Sequence, residues 1–575
     1  MSALLARARQ LGPRREDWAQ ASPRRDLTAG VMVALVALPL ALGFGVSSGV
    51  GAGAGIVTAI VAGAVAAVFG GSHVQVSGPT GAMTVVLIPI VAAHGADGVL
   101  VVGLLAGLML LALAVTGAGR AIRYVPVSVI EGFTAGIAVI IALQQLPAAL
   151  GVDAHAERIL VLTRDAVRAW AAAPTWGAPA TALGIAVVIV AMARVRAGFP
   201  AALVLVVLAT VGNALLARGG DRPLDTIGSI PSGLPAPRLP SVPWGDLDTL
   251  VLAAVAVAAL GALESLLSAT VADAMSVGQR HDPDRELLGQ GLANVASPLF
   301  GGIPATAAIA RTAVNVRSGA SSRLAALSHA VLLLVVVLVA ARWVGHIPLA
   351  ALAGVLIATA VQMVRVSSLA PLLRATRGDA ATLLVTAAAT VVLDLVLAVV
   401  IGLAVAGFFA LRQTATTARL EEVPLDGSDH HDEERRLLDE HIVAYRLDGP
   451  LFFAAAHDFL LELAEVGRVR VVVLRMSHLT TVDATGAHVL ADTIGRLEQR
   501  GVTVLLSGTR PEHLAVLQQL GVHRQLAHER HLFATTPEAI AHARLHAGRI
   551  AHDPAEPGIS AEPSGSRRRD GWSRR

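Results

Sequence analysis

Between residues 27 and 412 the hydrophobic positions form long apolar runs, and short polar or glycine- and proline-containing segments separate one run from the next. A helix needs about 20 mostly apolar residues to cross the hydrocarbon core of a membrane, and helices satisfy their own backbone groups there. The pattern predicts an α-helical polytopic membrane protein with fourteen spans, at residues 28–45, 52–70, 79–93, 98–118, 125–147, 178–194, 199–217, 248–273, 286–300, 305–317, 323–343, 348–364, 379–393 and 394–412.

Polar positions become frequent beyond residue 412. Strand-like and helix-like patterns alternate there, which predicts a C-terminal α/β domain with a mixed sheet. The expected organisation is a cytoplasmic N-terminal segment at 1–26, a transmembrane domain at 27–412, a charged linker at 413–440, the α/β domain at 441–547 and a disordered basic tail at 548–575.

The composition agrees with a membrane protein, because 54% of the residues are hydrophobic and 15% are charged, against about 25% charged in soluble domains. The chain has no cysteine, which excludes disulfides and thiol chemistry. Its formal net charge of +3 is small for 575 residues and does not indicate a nucleic-acid partner. The sequence shows no catalytic triad, metal-ligand cluster or cofactor motif, so we expect neither an enzyme nor a bound cofactor.

An arginine cluster between Arg7 and Arg25 precedes the first apolar run. Basic residues beside a span stay in the cytoplasm, so we expect the N-terminus on the cytoplasmic face of the cell membrane. An even number of spans returns the chain to the same side. Both termini, and with them the C-terminal domain, are therefore predicted to be cytoplasmic.

Two of the predicted spans, the third and the tenth, are short and follow glycines and a proline, in "GGSHVQVSGPTGAMTVVLIPIV" (70–91) and "FGGIPATAAIARTAVNV" (300–316). They occupy corresponding positions in the two halves of the chain, which is the pattern of seven-plus-seven inverted repeats. Because glycine and proline break helices, each segment is expected to be extended and then to begin its helix inside the membrane, at Thr80 or Thr306. Two such helix starts at one cavity would bind an anion through free N–H groups and helix dipoles.

Arg311 lies about one and a half turns into the second of these short helices. A charged side chain in mid-membrane usually faces the protein interior and is functional, and helical side chains lean toward the N-terminus. We therefore expect the guanidinium group at the cavity. The alternative is that Arg311 extends along the helix to the cytoplasmic surface.

Glu264 and Ser268 lie one helical turn apart in the eighth span, in "GALESLLSATVADAMS". A buried carboxylate can take up a proton, or it can bind Na⁺ together with hydroxyl and carbonyl oxygens. Either ion could be coupled to the movement of an anion. The alternative is a structural ion pair between Glu264 and an arginine.

The chain resembles the sulfate permease (SulP) family of anion transporters over nearly its whole length. The similarity rests on "ALPLALGFGVSSGV" (37–50), "GGSHVQVSGPTGA" (70–82), "VIEGFTAGIAV" (129–139), the long block that begins "ESLLSATVADAMSVGQ" (264–320) and the C-terminal domain. The resemblance implies a core domain and a gate domain, elevator-like movement of the core against the gate, and secondary transport of a small anion. We also expect a homodimer in the lipid bilayer.

Carried over by position, the family's substrate site falls on Phe44, Thr80, Gly81, Ala82, Thr306, Ala307, Ala308 and Arg311. Leu40 stands where relatives often have glutamine. Glu264 matches an acid that couples ions, and Ser268 matches a hydroxyl that helps to hold Na⁺ in a bicarbonate-transporting member. That member lacks an arginine at the position of Arg311, so the resemblance favours proton-coupled symport of sulfate or of a dicarboxylate such as fumarate or succinate. Na⁺-coupled bicarbonate symport, and an anion exchanger or channel on the same fold, are the alternatives.

The C-terminal domain resembles the STAS domain, which is related to anti-sigma-factor antagonists. The sequence "DATG" at 483–486 matches the loop in which those antagonists carry a phosphorylated serine, with Thr485 in that place. The alternative is that Asp483 caps the helix that follows. The segment "HIVAYRLDGPLFFAAA" is expected to form a hairpin that turns at 448–450. A membrane-bound signalling protein, with this domain as its output, is a further alternative function.

Overall fold

The computed structural model describes residues 12–18, 21–120, 125–154, 156, 158–195, 199–218, 223–276, 280–364, 366–393, 395–416, 419–422, 441–452, 469–528 and 531–550. Contacts within the chain divide it into two units, residues 1–406 and 407–575. Each unit has its own hydrophobic core.

The chain up to Thr416 is built mainly of helices, because most of its apolar runs fold into one helix each. In chain order these are α1 Pro23–Ser47, α2 Ala52–Phe69, α3 Gly81–Thr116, α4 Val127–Gln144, α5 Leu146–Leu150, α6 Ile159–Ala172, α7 Gly177–Val195, α8 Ala201–Arg218, α9 Leu247–Met275, α10 Pro283–Leu299, α11 Ile309–Arg317, α12 Arg323–Val344, α13 Leu349–Met363, α14 Val366–Ala375, α15 Arg377–Val392 and α16 Leu395–Thr416.

Each of the fourteen predicted segments overlaps one of these helices. Within the described segments, ten helical stretches are long and apolar enough to cross a membrane. The predicted segments 79–93 and 98–118 form the single helix α3, which loses helical geometry at Gly95, where φ is 65°. Three further predicted segments correspond to the shorter helices α10, α11 and α15, of 17, 9 and 16 residues.

Two helices, α6 and α14, lie where the apolar pattern predicts connecting segments. Both are short, and each carries charged residues, such as Arg164 and Asp165 in α6 and Arg374 in α14. These charges interrupt the apolar character that identifies a span. Helices α6 and α14 therefore do not stand out in the sequence as long apolar runs.

The helices of the first unit pack in two groups. In one group α3 packs against α9 and α10, α2 against α10, and α12 against α1 and α2; in the other, α4 packs against α15 and α13 against α7. Glycines permit the close approaches: a Cβ on Gly107 would lie 2.8 Å from the carbonyl oxygen of Gly291 on the facing helix, and small residues have this role between membrane helices.

The two interrupted segments meet in a two-stranded antiparallel ladder. Strand β1 (Ser77–Gly78) pairs with β2 (Thr306–Ala307), which confirms the expected extended conformation. Helix α3 begins directly after Thr80, as expected, but α11 begins at Ile309. The predicted helix start at Thr306 is wrong, because pairing with β1 keeps Thr306 and Ala307 in the strand conformation.

The second unit is an α/β domain, which confirms the predicted mixed sheet. Strands β3 Arg419–Glu422, β4 Ile442–Leu451, β5 Val471–Arg475, β6 Leu479–Val482, β7 Thr503–Ser507 and β8 Leu532–Phe533 form one sheet. Their order is β3-β4-β5-β7-β8, and β6 pairs with β4. The β3–β4 pair is antiparallel and the other pairs are parallel. The helices of this unit are α17 Ala484–Gln499, α18 Pro511–Gln519 and α19 Thr536–Ile550.

The expected hairpin at 448–450 is wrong. Strand β4 continues through Gly449 and Pro450 with a shift of register between them. The first half of β4 pairs with β5 and its end pairs with β6, so pairing with β6 keeps the strand extended where the hairpin turn is expected. The expected cap on α17 is confirmed, since Asp483 Oδ1 accepts a hydrogen bond from the backbone N–H of Gly486 at 2.7 Å.

The predicted linker at 413–440 includes the end of α16, which reaches Thr416, and strand β3. Residues 423–440 of that linker lie outside the described segments, as do residues 1–11 of the N-terminal segment and residues 551–575 of the tail.

Candidate substrate site

Helices α3 and α11 begin next to the β1–β2 ladder. Thr80 is the N-cap of α3, and its Oγ1 accepts a long hydrogen bond from the backbone N–H of Met83 at 3.5 Å. Ala308 is the N-cap of α11 and provides no side-chain cap. The first N–H groups of a helix have no acceptor inside the helix, so the start of α11 presents backbone donors together with the positive end of its dipole.

The side chain of Arg311 lies inside the helix bundle, where it is 1% exposed. Its Nη2 donates a hydrogen bond to the carbonyl oxygen of Pro79 at 2.9 Å. Its Nη1 has no hydrogen-bond partner in the described part of the chain and lies beside Gly78, where a Cβ would be 2.6 Å away. The guanidinium group therefore spans from α11 to the residues just before α3, and the alternative of a surface-directed side chain is wrong.

Glu264 of α9 faces the start of α3. Its Oε2 accepts a hydrogen bond from Oγ1 of Thr80 at 3.0 Å, and its carboxylate is near enough to interact electrostatically with Arg311. Within the described structure these two charges form no direct ion pair. The alternative of a structural ion pair between Glu264 and an arginine is therefore wrong. The side chain of Glu264 is partly exposed.

Hydroxyl groups on α9 hold the second interrupted segment in place. Ser265 Oγ lies 2.9 Å from Oγ1 of Thr306 and accepts a hydrogen bond from the backbone N–H of Ala307 at 3.2 Å. Both Thr306 and Ala307 are buried in the ladder, whereas Ala308 is partly exposed. Of the three predicted residues, Ala308 is the one that the fold leaves accessible.

Ser268 lies one turn further along α9. Its Oγ is 3.3 Å from Oγ1 of Thr312, and Oγ1 of Thr312 accepts a hydrogen bond from the backbone N–H of Val76 at 3.1 Å. Ser268 thus contacts α11 and is not hydrogen-bonded to Glu264. The hydroxyl that the structure brings to Glu264 belongs to Thr80, which the sequence pattern assigned only to the substrate.

The start of α3 is enclosed on its apolar side by Phe44 and Ile141. A Cβ on Gly81 would lie 2.1 Å from Cδ1 of Ile141 and 3.1 Å from Cε1 of Phe44. Phe44 is 5% exposed and Ala82, the next residue of α3, is 1% exposed. The structure therefore places the predicted Phe44, Gly81 and Ala82 together, and it adds Ile141, which no sequence signal marks.

Two buried polar residues, one beside Ser265 and one near Arg311, have no counterpart in the sequence-based prediction. Gln75 donates a hydrogen bond from Nε2 to the backbone carbonyl of Ser265 at 2.8 Å, and His329 of α12 is fully buried within electrostatic reach of Arg311. A signal for His329 does exist, because it is the one polar residue in the run "HAVLLLVVV", and polar groups inside spans are usually functional.

Taken together, these residues bring opposite charges close together inside an apolar bundle. One side offers a guanidinium nitrogen without a partner among the described residues and uncapped N–H groups, which suit the oxygens of an anion. The other side offers the carboxylate of Glu264, which can hold a cation or a proton. An arrangement with both features can bind an anion and link its binding to that of a positive ion.

Family models agree with this architecture. The model of the sulfate permease family matches residues 24–386, and that of the STAS domain matches residues 438–539. YvdB of Bacillus subtilis, a protein provisionally named as a sulfate transporter, is 34% identical over 516 residues, which cover 89% of this chain and 96% of that protein. The bicarbonate transporter BicA of Synechocystis is 30% identical over 513 residues, 87% of this chain and 90% of its own length.

Among solved structures, the anion transporter murine Solute Carrier 26 family member A9, in its inward-facing state, matches with a TM-score of 0.78 at 19% identity. The match covers 91% of this chain and 92% of that one, and it concerns the fold. The matching family and these relatives are transporters rather than enzymes.

Proposed function

Because this chain belongs to the sulfate permease family, we propose that it is a secondary active transporter of a small divalent anion, either sulfate or a dicarboxylate such as fumarate or succinate. We further propose proton symport by an elevator-like movement of the core against the gate. The transporter would act as a homodimer in the cell membrane, with both termini in the cytoplasm. The observation that carries the proposal is the buried guanidinium of Arg311 between the starts of α3 and α11.

Arg311 supports a divalent anion rather than a monovalent one. One of its terminal nitrogens is held by Pro79, and the other has no acceptor among the described residues. A buried donor without an acceptor is unfavourable, and an anionic oxygen at this position would remove that cost. A guanidinium group with two nearby helix N-termini supplies more positive potential than the helix ends alone.

Glu264 supports coupling to protons. An ionised carboxylate next to an anion site repels the substrate, and protonation removes this repulsion. Binding of a proton and binding of the anion therefore favour each other, and this coupling must be reciprocal. Symport follows when the core moves only with both sites occupied or both empty.

A Na⁺-coupled bicarbonate transporter is the second candidate, because BicA is among the relatives at 30% identity. A Na⁺ site at Glu264 would require oxygen ligands around the carboxylate. Thr80 provides one hydroxyl, but Ser268 is engaged with Thr312. These contacts favour the proton. Exchange or channel activity on the same fold, and a signalling role of the STAS domain, have no separate observation in their favour.

Counterflow in proteoliposomes tests the proposal. Liposomes that contain the purified chain are preloaded with unlabelled sulfate, fumarate or bicarbonate, and uptake of the same labelled anion is followed with and without an imposed pH gradient, or with an imposed Na⁺ gradient. We expect saturable counterflow of sulfate or fumarate, and accumulation when the outside is more acidic. Accumulation of bicarbonate driven by Na⁺ alone would establish the second candidate instead, and unsaturable flux that never exceeds equilibrium would indicate a channel.

A further inference from the structure

Three histidines of the second unit lie together at the edge of its sheet. His531 precedes strand β8, and His542 and His546 lie one turn apart on α19. One ring nitrogen of each residue lies within 4.8 Å of a ring nitrogen of both others, and Nε2 of His542 is 3.2 Å from Nε2 of His546. The sequence-based expectation of no metal-ligand cluster does not hold here, because the packing of α19 on the sheet brings its two histidines next to His531.

We propose that His531, His542 and His546 bind a divalent transition-metal ion, and that Zn²⁺ fits this site best. Neutral imidazole is the preferred nitrogen ligand of Zn²⁺, Cu²⁺ and Ni²⁺. In a tetrahedral Zn²⁺ site with Zn–N bonds of 2.0–2.1 Å, two ligand nitrogens are about 3.3 Å apart. The separation between His542 and His546 is already close to this value.

The third ligand is His531, whose ring is the most deeply buried of the three. It is 2% exposed, and its Nδ1 has no hydrogen-bond partner in the described part of the chain. A buried polar nitrogen without a partner needs an explanation, and a bound metal ion provides one. Full tetrahedral geometry requires the third nitrogen to approach by roughly 1.5 Å, which rotations of the partly exposed His542 and His546 can supply.

A tetrahedral Zn²⁺ site needs a fourth ligand beside the three imidazoles. His528, whose ring centre is 6.0 Å from that of His531, or a water molecule can take the fourth position.

A metal ion at this place would connect α19 to the segment before β8. Phe533 of β8 packs against His542, with ring centres 5.1 Å apart, so the ligands are supported from the sheet side. The opposing explanation is that the three rings only pack against one another as neutral aromatic groups. That explanation predicts no selective affinity for metal ions.

Metal binding is tested on the full-length protein in detergent, purified with a tag that contains no histidine and treated with a chelator. Equilibrium dialysis against Zn²⁺ should give one ion per chain. His542→Gln and His546→Gln should each weaken binding at least tenfold, and Co²⁺ bound to the wild-type chain should show the visible absorption of a tetrahedral site. The matched control is His488→Gln, an exposed residue of α17, which should bind as the wild type does.

A cysteine variant distinguishes the loss of one metal ligand from a loss of binding that misfolding causes. The chain contains no native cysteine, so in His546→Cys a thiolate-to-Co²⁺ charge-transfer band can arise only from position 546. Appearance of this band supports the site. Co²⁺ bound without the band, or equal Zn²⁺ uptake by the wild type and by the double variant His542→Gln/His546→Gln, would overturn the proposal.

Discussion

Thr80, the N-cap of α3, donates a hydrogen bond from Oγ1 to Oε2 of Glu264 at 3.0 Å. Thr80 thus lies at the helix start that would face the anion, and it also contacts the carboxylate that would carry the proton. A change in the charge of Glu264 alters a contact at the anion site directly. No rearrangement of distant helices is required for the two binding events to affect each other.

The first prediction is that Glu264→Gln uncouples transport. Glutamine has the shape of the protonated side chain and cannot release a proton. It can still accept a hydrogen bond from Thr80. Anion exchange across the membrane should therefore persist within about threefold of the wild-type rate, a difference of roughly 0.7 kcal/mol in the barrier, whereas accumulation driven by a pH gradient should disappear. The measurement is counterflow and gradient-driven uptake in the same proteoliposome preparation.

The matched control is Asp273→Asn on the same helix. Asp273 is paired with His281, outside the site, so this variant should keep its pH-driven accumulation. If Glu264→Gln accumulates the anion as well as the control does, Glu264 is not the coupling residue.

The second prediction is that Arg311→Ala abolishes high-affinity anion binding. The change removes a buried cation next to the helix starts. Loss of such a charged hydrogen bond should weaken affinity at least tenfold, about 1.4 kcal/mol, and Arg311→Lys should restore it only in part because lysine lacks the planar pair of donors. Calorimetry with the purified protein gives the dissociation constant.

Arg317→Ala is the control for that experiment. Arg317 lies in the last turn of the same helix and is exposed, so its removal tests the general effect of one positive charge on α11. An equal loss of affinity in both variants would show that long-range potential, and not the position of Arg311, determines binding.

The sequence predicts the helices of the first unit well, because apolar runs and membrane thickness leave few alternatives. It also identifies the two interrupted segments, since glycine and proline act locally. It does not predict the register of the β1–β2 ladder, and so it places the start of α11 three residues too early. Pairing between residues more than 200 positions apart leaves no local signal.

In the candidate site, too, the residues with a local signal can be predicted from the sequence, and the contacts between distant residues cannot. Arg311 and Glu264 can be identified from sequence because a charge in an apolar span is conspicuous, and Thr80 because it follows Pro79. The contacts between these residues cannot be identified from the sequence, because they depend on how α9 packs against α3 and α11. The apolar residue Ile141 lies against Gly81. It is one of many similar residues in its helix, so the sequence alone does not indicate that it contacts the site.

The third prediction concerns Gly78, where a Cβ would lie 2.6 Å from Nη1 of Arg311. Gly78→Ala should displace the guanidinium group and weaken anion affinity severalfold, and it also strains the backbone, because φ at Gly78 is 152°. The part of the effect that acts through Arg311 should vanish in the Arg311→Ala background, as a double-mutant cycle would show, whereas the strain remains. Gly184→Ala, a helical site with open space around it, serves as the control. Equal losses in both backgrounds would instead indicate general damage to the ladder.

The fourth prediction separates protons from Na⁺. The Ser268 hydroxyl contacts Thr312 and is not hydrogen-bonded to Glu264, so Ser268→Ala should leave pH-driven uptake within about twofold of the wild type, roughly 0.4 kcal/mol. Neither protein should respond to a Na⁺ gradient at fixed pH. Na⁺-driven uptake that the wild type shows and Ser268→Ala loses would assign this hydroxyl to a Na⁺ site.

The last prediction concerns the stability of the STAS domain. Burial raises the pKa of Glu498 in α17 above its ordinary value of 4.5, although the backbone N–H of Val504 donates a hydrogen bond to Oε1 at 2.9 Å and opposes the shift. Between the unfolded and folded pKa values the folded state binds more protons than the unfolded state. The stabilisation from this group is therefore complete below pH 4.5 and is lost as the pH rises through the folded pKa.

Glu498→Gln keeps the hydrogen-bond acceptor without the charge. The stability of this variant should therefore match that of the wild type in acid and exceed it at neutral pH. Hydrogen exchange of the β5 amides, Val471–Arg475, compares the two full-length proteins at each pH. A difference in protection that does not change with pH would mean that packing, and not ionisation, distinguishes them.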